Sequence, residues 1–335
     1  MTRRGIMSNK NKAVPKSNAS QKSIRSTMID VLIALLPAAA VGVYIHRGQA
    51  VLIILASIIA SIISEAVWQK LCGKKITISD FSAVVTGLIL SLILPIHVPL
   101  WIPIVGSIFA TIIVKQFFGG VGNNFMNPAV AAKVFIMTSW ASVMIKPITD
   151  ATAAATGSVE EVADAVSSAS EVATEVVNTA TVNFSEIWSV FLSQPNASNI
   201  GEISAAALLV GGLYLIVRRV ISFKIPVAFI AANVFLTWMI GGKAGLFSGD
   251  VINSLLSGVL FMAAFFMAND PSSSPRSTKG QIVYGVLLGL LGTIFKVYGY
   301  NGEGAYYAII VMNLFVPLIE KAFKNKVLDP AKEAM

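Results

Sequence analysis

The sequence predicts an all-α polytopic membrane protein with about ten transmembrane helices in two inverted five-helix repeats. Three observations carry this expectation. The 335 residues are 55% hydrophobic, with a mean hydropathy of +0.75. Apolar runs of about 18 residues recur along the chain, and each is long enough to cross a hydrocarbon core of about 30 Å. The loops between them concentrate their Lys and Arg on alternate connections, with Arg47, Lys146, Lys243 and Lys296 on the others, as a chain threaded through a bilayer does. Lipid offers no partner to a backbone N–H or C=O, so the spans are expected to be helices.

The chain begins with a polar, basic stretch that includes Arg3, Arg4, Lys10, Lys12, Lys16, Lys22 and Arg25. It has no apolar core followed by a small-residue cleavage site and is read as a cytoplasmic tail over residues 1–27. Five spans follow, within residues 28–146: Met28–Tyr44, Ala50–Trp68, Phe81–Leu94, Leu100–Val114 and Pro128–Ile145. Residues 147–202 then change character to Ala, Val, Thr, Ser and Glu, with no long apolar run. Within them, Ser158–Val177 has the spacing of an amphipathic surface helix. Five more spans occupy residues 203–320: Ile203–Val217, Ile225–Ile240, Val251–Ala268, Gln281–Phe295 and Ala305–Ile319. Residues 321–335 form a second basic tail.

Threading from a cytoplasmic amino terminus puts the clusters at Lys70/Lys74/Lys75, Arg218/Arg219/Lys224, Arg276/Lys279 and Lys321/Lys324/Lys326 on one side. Both termini are then cytoplasmic, and residues 147–202, which carry Glu160, Glu161, Asp164, Glu171 and Glu175, are extracytoplasmic. The net charge of +8 follows from this topology. No nucleic-acid-binding signature accompanies it, and the expected surroundings are a lipid bilayer.

The two halves carry similar punctuation. Asp80 opens a span that ends at Pro95, and Asp250 opens one that ends before Pro271. The next span in each half closes on Lys-x-aromatic and a glycine-rich turn, from Lys115 to Gly120 and from Lys296 to Gly302. An odd number of spans per half makes the copies run in opposite directions, an arrangement that places function where the halves meet.

Cys72 is the only cysteine, and the two histidines, His46 and His97, sit at span ends. An all-cysteine iron–sulfur site within this chain is thereby excluded, and a pair of haem ligands inside the bilayer is not expected. Electron transfer, if the chain performs it, would need a flavin or a partner's cofactor. Lys133 lies inside a predicted span, where a charged side chain either serves function or snorkels to the interface. The Gly119–Pro128 turn either brings backbone close to a ligand or makes a tight bend through positive φ. Asn123, Asn124 and Asn127 either line a passage or cap a helix. Asp80 and Asp250 are expected at helix starts, with cation passage as the other reading.

Three stretches together resemble the NqrB/RnfD family of membrane subunits. They are Gly119–Ala129 (GGVGNNFMNPA), Met267–Pro275 (MANDPSSSP) with Thr278 and Gly280, and Tyr298–Gly304 (YGYNGEG) leading to Asn313 and Pro317-Leu318-Ile319. The resemblance covers about residues 25–320, and length and amino terminus are closest to the D subunit of the Rnf complex. It implies a subunit of a complex that couples ferredoxin:NAD electron transfer to Na⁺ or H⁺ translocation, incomplete as a catalyst alone. It also implies FMN held covalently by a threonine that ends an Asp-x-x-(Ser/Thr)-Gly-Ala-Thr motif, placed there by a flavin transferase. The matching stretch is Asp150–Thr156, with Ala153 and Ala154 at the two departing positions. Thr156 is therefore the expected FMN site and Thr152 the fallback. A second, noncovalent flavin such as riboflavin is implied without a location. The rival readings on the same scaffold are a redox-silent solute transporter or channel, and an assembly scaffold. The Asn269–Pro275 turn is expected on the cytoplasmic side, where it would meet partner subunits.

Overall fold

A computed structural model describes residues 16–144, 188, 190–194, 199–240, 247, 249, 251–299 and 303–323. Helices cover all ten predicted spans. The first two spans form α1 (Lys16–Leu71), broken at Arg47, whose φ of 51° and ψ of −130° lie outside helical values. α2 (Ser82–Leu92) and α3 (Trp101–Ile108) follow, and α3 continues as a π-helical stretch, Phe109–Gln116. α4 (Pro128–Ser139) and α5 (Ala141–Met144) complete the first half. The second half comprises α6 (Ala205–Val217), α7 (Lys224–Ile240), α8 (Val251–Leu256) and α9 (Gly258–Phe261). α9 runs on as a second π-helical stretch, Met262–Met267, and α10 (Thr278–Tyr298) and α11 (Gly304–Phe323) end the described chain. Among the described residues, Ile24–Leu71, Thr278–Tyr298 and Gly304–Phe323 are long and apolar enough to cross a membrane, and six further apolar helices are shorter. Among the described residues the β pairing is a single antiparallel bridge, Pro95 to Asn199.

Helix starts follow local chemistry. Asp80 accepts hydrogen bonds from the Ser82 N–H (2.8 Å) and hydroxyl (2.6 Å), which fixes the entry to α2. Asn127 caps α4 by accepting from the N–H groups of Ala129 and Val130, with Pro128 in the first turn. Glu320, near the end of α11, accepts from the N–H groups of Arg276 (2.6 Å) and Ser277 (3.0 Å) and thus holds the start of α10.

Small residues let the helices approach closely, as packing inside a membrane requires. A Cβ at Gly87 of α2 would lie 2.8 Å from both the Ile58 Cα and the Ser57 oxygen of α1. A Cβ at Gly289 of α10 would lie 2.5 Å from the Cβ of Ala232 on α7. One hydrophobic core runs through both halves, from Leu35 and Ile93 to Met262 and Tyr306. Lipid-compatible side chains such as Leu36, Ile59, Val210, Phe235 and Leu318 remain on the outside.

The bundle has two ends. At one, which we term the motif end, the 116–127 turn meets the loops after α6 and after the second π-helical stretch; Asn269 donates to the Ser222 carbonyl there. At the other, the start of α6 is pinned under the end of α2, with Ile200 N–H donating to Leu94 O (3.1 Å) and Gly201 N–H to Leu92 O (2.7 Å).

Candidate functional site: a cleft and a buried charge network

At the motif end a cleft opens between the halves, with about 750 Å³ of empty space including the part open to solvent. Its apolar walls include Val85, Ile89, Leu215, Phe265 and Phe266, and its polar rim includes Lys115, Asn124, Asn127, Asn269 and Asp270. The turn that frames it has Gly119, Gly120 and Gly122 at φ 105°, 92° and 90°, a region L side chains rarely adopt. This turn is thus a tight bend, and it also borders the cleft. Asn127 both caps α4 and donates from Nδ2 to the Met267 carbonyl (3.3 Å). Asn313 of α11 lies at the same point: its side-chain oxygen faces the Asn127 N–H, and its nitrogen faces Ser273 O and the Tyr284 hydroxyl. Residues from three separated stretches of sequence therefore converge here. Burial pushes the Asp270 carboxyl above its ordinary range, although Ser272 N–H and the Ser273 hydroxyl donate to it.

Beside the cleft, Lys115 and Glu65 form a buried ion pair at 2.9 Å. Lys115 also donates to the Ser82 hydroxyl (2.6 Å), while Gln116 and Gln69 donate to Glu65 at 2.7 and 3.1 Å. Within the first arm of α1, Asp30 accepts from Tyr214 (3.0 Å) and from Arg218 Nε (3.2 Å).

The second network lies at the opposite end. Lys133 is fully buried, and its ammonium lies 2.9 Å from Glu303 Oε2. It also donates to Ile93 O (2.8 Å) and to Asn199 Oδ1 (3.2 Å), and sits 5.5 Å from the centre of the Tyr306 ring. Asn199 Nδ2 donates to Glu202 (2.7 Å) and to Glu303 (3.2 Å), and the Tyr306 hydroxyl donates to Glu202. Lys133 does not snorkel; it joins α4 of the first half to α11 and to the entry of α6.

The family of the chain rests on the whole of it. A model of the NQR2, RnfD, RnfE family matches residues 14–329. The chain belongs to this family. It is 41% identical over 317 residues to the D subunit of the Na⁺-translocating ferredoxin:NAD⁺ oxidoreductase complex of Acetobacterium woodii, covering 93% of each chain. It is 36% identical over 307 residues to the D subunit of the proton-translocating ferredoxin:NAD⁺ oxidoreductase complex of Clostridium ljungdahlii, covering 90% of each. The D subunit of the ion-translocating oxidoreductase complex of Halorhodospira halophila is 30% identical over 332 residues, at 91% of each chain.

In this NQR2, RnfD, RnfE family member Asn127 and Ser273, from the first two stretches that carried the resemblance, meet Asn313 beside the cleft, whereas Glu303 of the third stretch lies in the network at the opposite end. Thr156, with Asp150 and Thr152, lies outside the described residues, as does Asp250. Sequence reasoning singled out Lys133 but passed over its partners Glu202 and Glu303, and it passed over Asp30 and Glu65. A signal existed for the last two: each is a carboxylate within a predicted span, and such residues are functional suspects on the same ground as Lys133.

Proposed function

We propose that the chain is the D-type membrane subunit of an ion-translocating oxidoreductase complex. That complex would couple electron transfer between ferredoxin and NAD to Na⁺ or H⁺ movement, with FMN on Thr156 of this subunit as an electron relay. The observation that carries the complex-level reading is the 41% identity across 93% of both chains to a relative named for that activity. The flavin reading is supported by the Asp150–Thr156 stretch, in which Thr156 is flanked by Ala153 to Ala155 and by Gly157, small residues that admit a bulky group. Bound FMN would supply one- and two-electron chemistry. A phosphoester to Thr156 would leave the isoalloxazine free for it.

In this reading the chain spans the bacterial inner membrane with both termini cytoplasmic, so the motif end is cytoplasmic and residues 147–202 face outward. The basic loops on one side support this orientation. The matching order of Asp80 then Lys115, and of Asp250 then Lys296, supports reading the two halves as an inverted repeat. The cleft is the candidate place for the second, noncovalent flavin, because its apolar walls suit the faces of an isoalloxazine. Other subunits of the complex and a flavin transferase are the implied partners.

The test is intact mass. Protein made with the transferase should exceed the bare chain by one FMN less water and fluoresce as a flavoprotein after denaturing electrophoresis. Thr156→Ala should lose both, and retention of both would assign the flavin elsewhere. A protein without flavin that binds or conducts solute alone would favour the redox-silent transporter.

A further inference from the structure

The network around Lys133 is unbalanced in charge. Lys133 spends its three N–H groups on Ile93 O, Asn199 Oδ1 and Glu303. Its ammonium therefore compensates Glu303 directly. Glu202, 2% exposed, is contacted by the Asn199 amide and the Tyr306 hydroxyl, and neither carries charge. Fully ionised, the cluster would hold two carboxylates against one cation in the protein interior, and burying the surplus charge is costly.

Glu202 is shut away from water where it stands. Its backbone is held by the packing of Gly258, where an added Cβ would clash with the Glu202 carbonyl. The adjoining residues are pinned to α2 by the hydrogen bonds of Ile200 and Gly201. Relief must come from a bound cation, and the smallest is a proton. Glu303 offers the way in: its side chain is 17% exposed, and Asn199 Nδ2 bridges it to Glu202.

We propose that Glu202 and Glu303 hold one exchangeable proton between them, resident on Glu202 and passed to solvent through Glu303. The charged and titratable groups facing Glu202 are Lys133 from α4, Glu303 from the residue just before α11 and Tyr306 from α11. Burial, reinforced by the charge of Glu303, pushes the Glu202 carboxyl up to about 8, so the proton exchanges near physiological pH. On release, Lys133 has two ionised carboxylates to choose between, one before α6 and one at α11, and the contact between the halves changes with it. The site stands without any flavin; only its use in ion translocation rests on the reading above.

Infrared titration of the purified full-length protein in lipid tests this. A protonated-carboxyl C=O band should be present at neutral pH and disappear with a midpoint near about 8. Glu202→Gln should remove it. Glu303→Gln should lower the midpoint and Lys133→Met should raise it, which a purely structural role would not produce. A midpoint that is the same in Na⁺ and in choline supports a proton site; one that falls with Na⁺ overturns it in favour of a metal cation. Absence of the band from the wild type at neutral pH, or its survival in Glu202→Gln, also overturns the proposal. Should the variants fail to fold, the wild-type titration and its Na⁺ arm still decide.

Discussion

The backbone N–H of Asn127 lies 3.0 Å from the side-chain oxygen of Asn313, which ties the start of α4 to the middle of α11. The same carboxamide faces Tyr284 on α10 and Ser273 in the turn before it. One side chain thus satisfies buried groups from three elements, at the point where the halves close over the cleft.

Replacing that side chain with an apolar one of similar size should be costly. Asn313→Leu orphans the Asn127 N–H, the Ser273 carbonyl and the Tyr284 hydroxyl, at about 1–3 kcal/mol for each group left without a partner. The thermal unfolding midpoint in detergent, followed by tryptophan fluorescence, should fall clearly. Asn313→Asp should behave differently, because it keeps the acceptor for Asn127 and loses the donor to Ser273.

The Lys133–Glu303 pair makes a second prediction. Lys133→Met leaves Glu303 and Glu202 without a cation and should destabilise the fold by about 3–5 kcal/mol, the usual range for breaking a buried pair. The double variant Lys133→Met/Glu303→Gln should recover much of that loss. Equal loss in the single and double variants would show that the lysine acts by packing and not by charge.

Stability should depend on pH through Glu202. Its folded-state pKa, about 8, is raised above the ordinary glutamate value of 4.5. Between these values the native state binds more protons than the unfolded one. The stabilisation is therefore fully present below about 4.5 and is lost as pH rises through about 8. Denaturant titrations of the wild type across this window should show falling stability with rising pH, and Glu202→Gln should flatten the slope.

Close packing of α7 on α10 leaves no room at Gly289. A Cβ there would meet the Ala232 Cβ at 2.5 Å and both the Asn233 N and the Phe229 O at 2.8 Å. Gly289→Val forces the two helices apart and should reduce the yield of folded protein, measured by gel filtration in mild detergent. Gly48 has nothing within 4 Å of its would-be Cβ, so Gly48→Ala should be tolerated.

Orientation is testable with single cysteines, because Cys72 is the only native one and is exposed. In a Cys72→Ser background, Ser168→Cys should react with an impermeant maleimide applied to spheroplasts. Ser274→Cys should react only after the membrane is opened. The reverse pattern would invert the threading.

Much of this architecture was legible from hydropathy, because a span must be apolar over its length and the sequence shows where such stretches begin and end. Helices lie over all ten predicted spans, and the cap at Asn127 and the positive-φ glycines at 119, 120 and 122 follow from residue type. Pairings across the bundle were not legible. Glu65 finds Lys115, and Lys133 finds Glu303, only because particular helices pack side by side, and no local pattern announces that. Glu202 looked like one more acid in an acidic stretch. Its neighbours Gly201 and Ile200, buried under α2, make it interior. Hydropathy predicts a short loop between Tyr44 and Ala50, whereas the structure joins the two arms of α1 through a single non-helical residue, Arg47.

The π-helical winding of Phe109–Gln116 has a bearing on the Glu65–Lys115 pair. An α-helix turns by about 100° per residue, so the wider winding alters which side of the rod each later residue presents. Rewinding this segment as an ordinary α-helix at unchanged chain length would carry Lys115 further round the rod and swing its ammonium off the carboxylate, although both charged residues would still be present. Whether those two charges ever meet is thus decided by how the main chain coils several residues upstream as much as by the identity of the lysine.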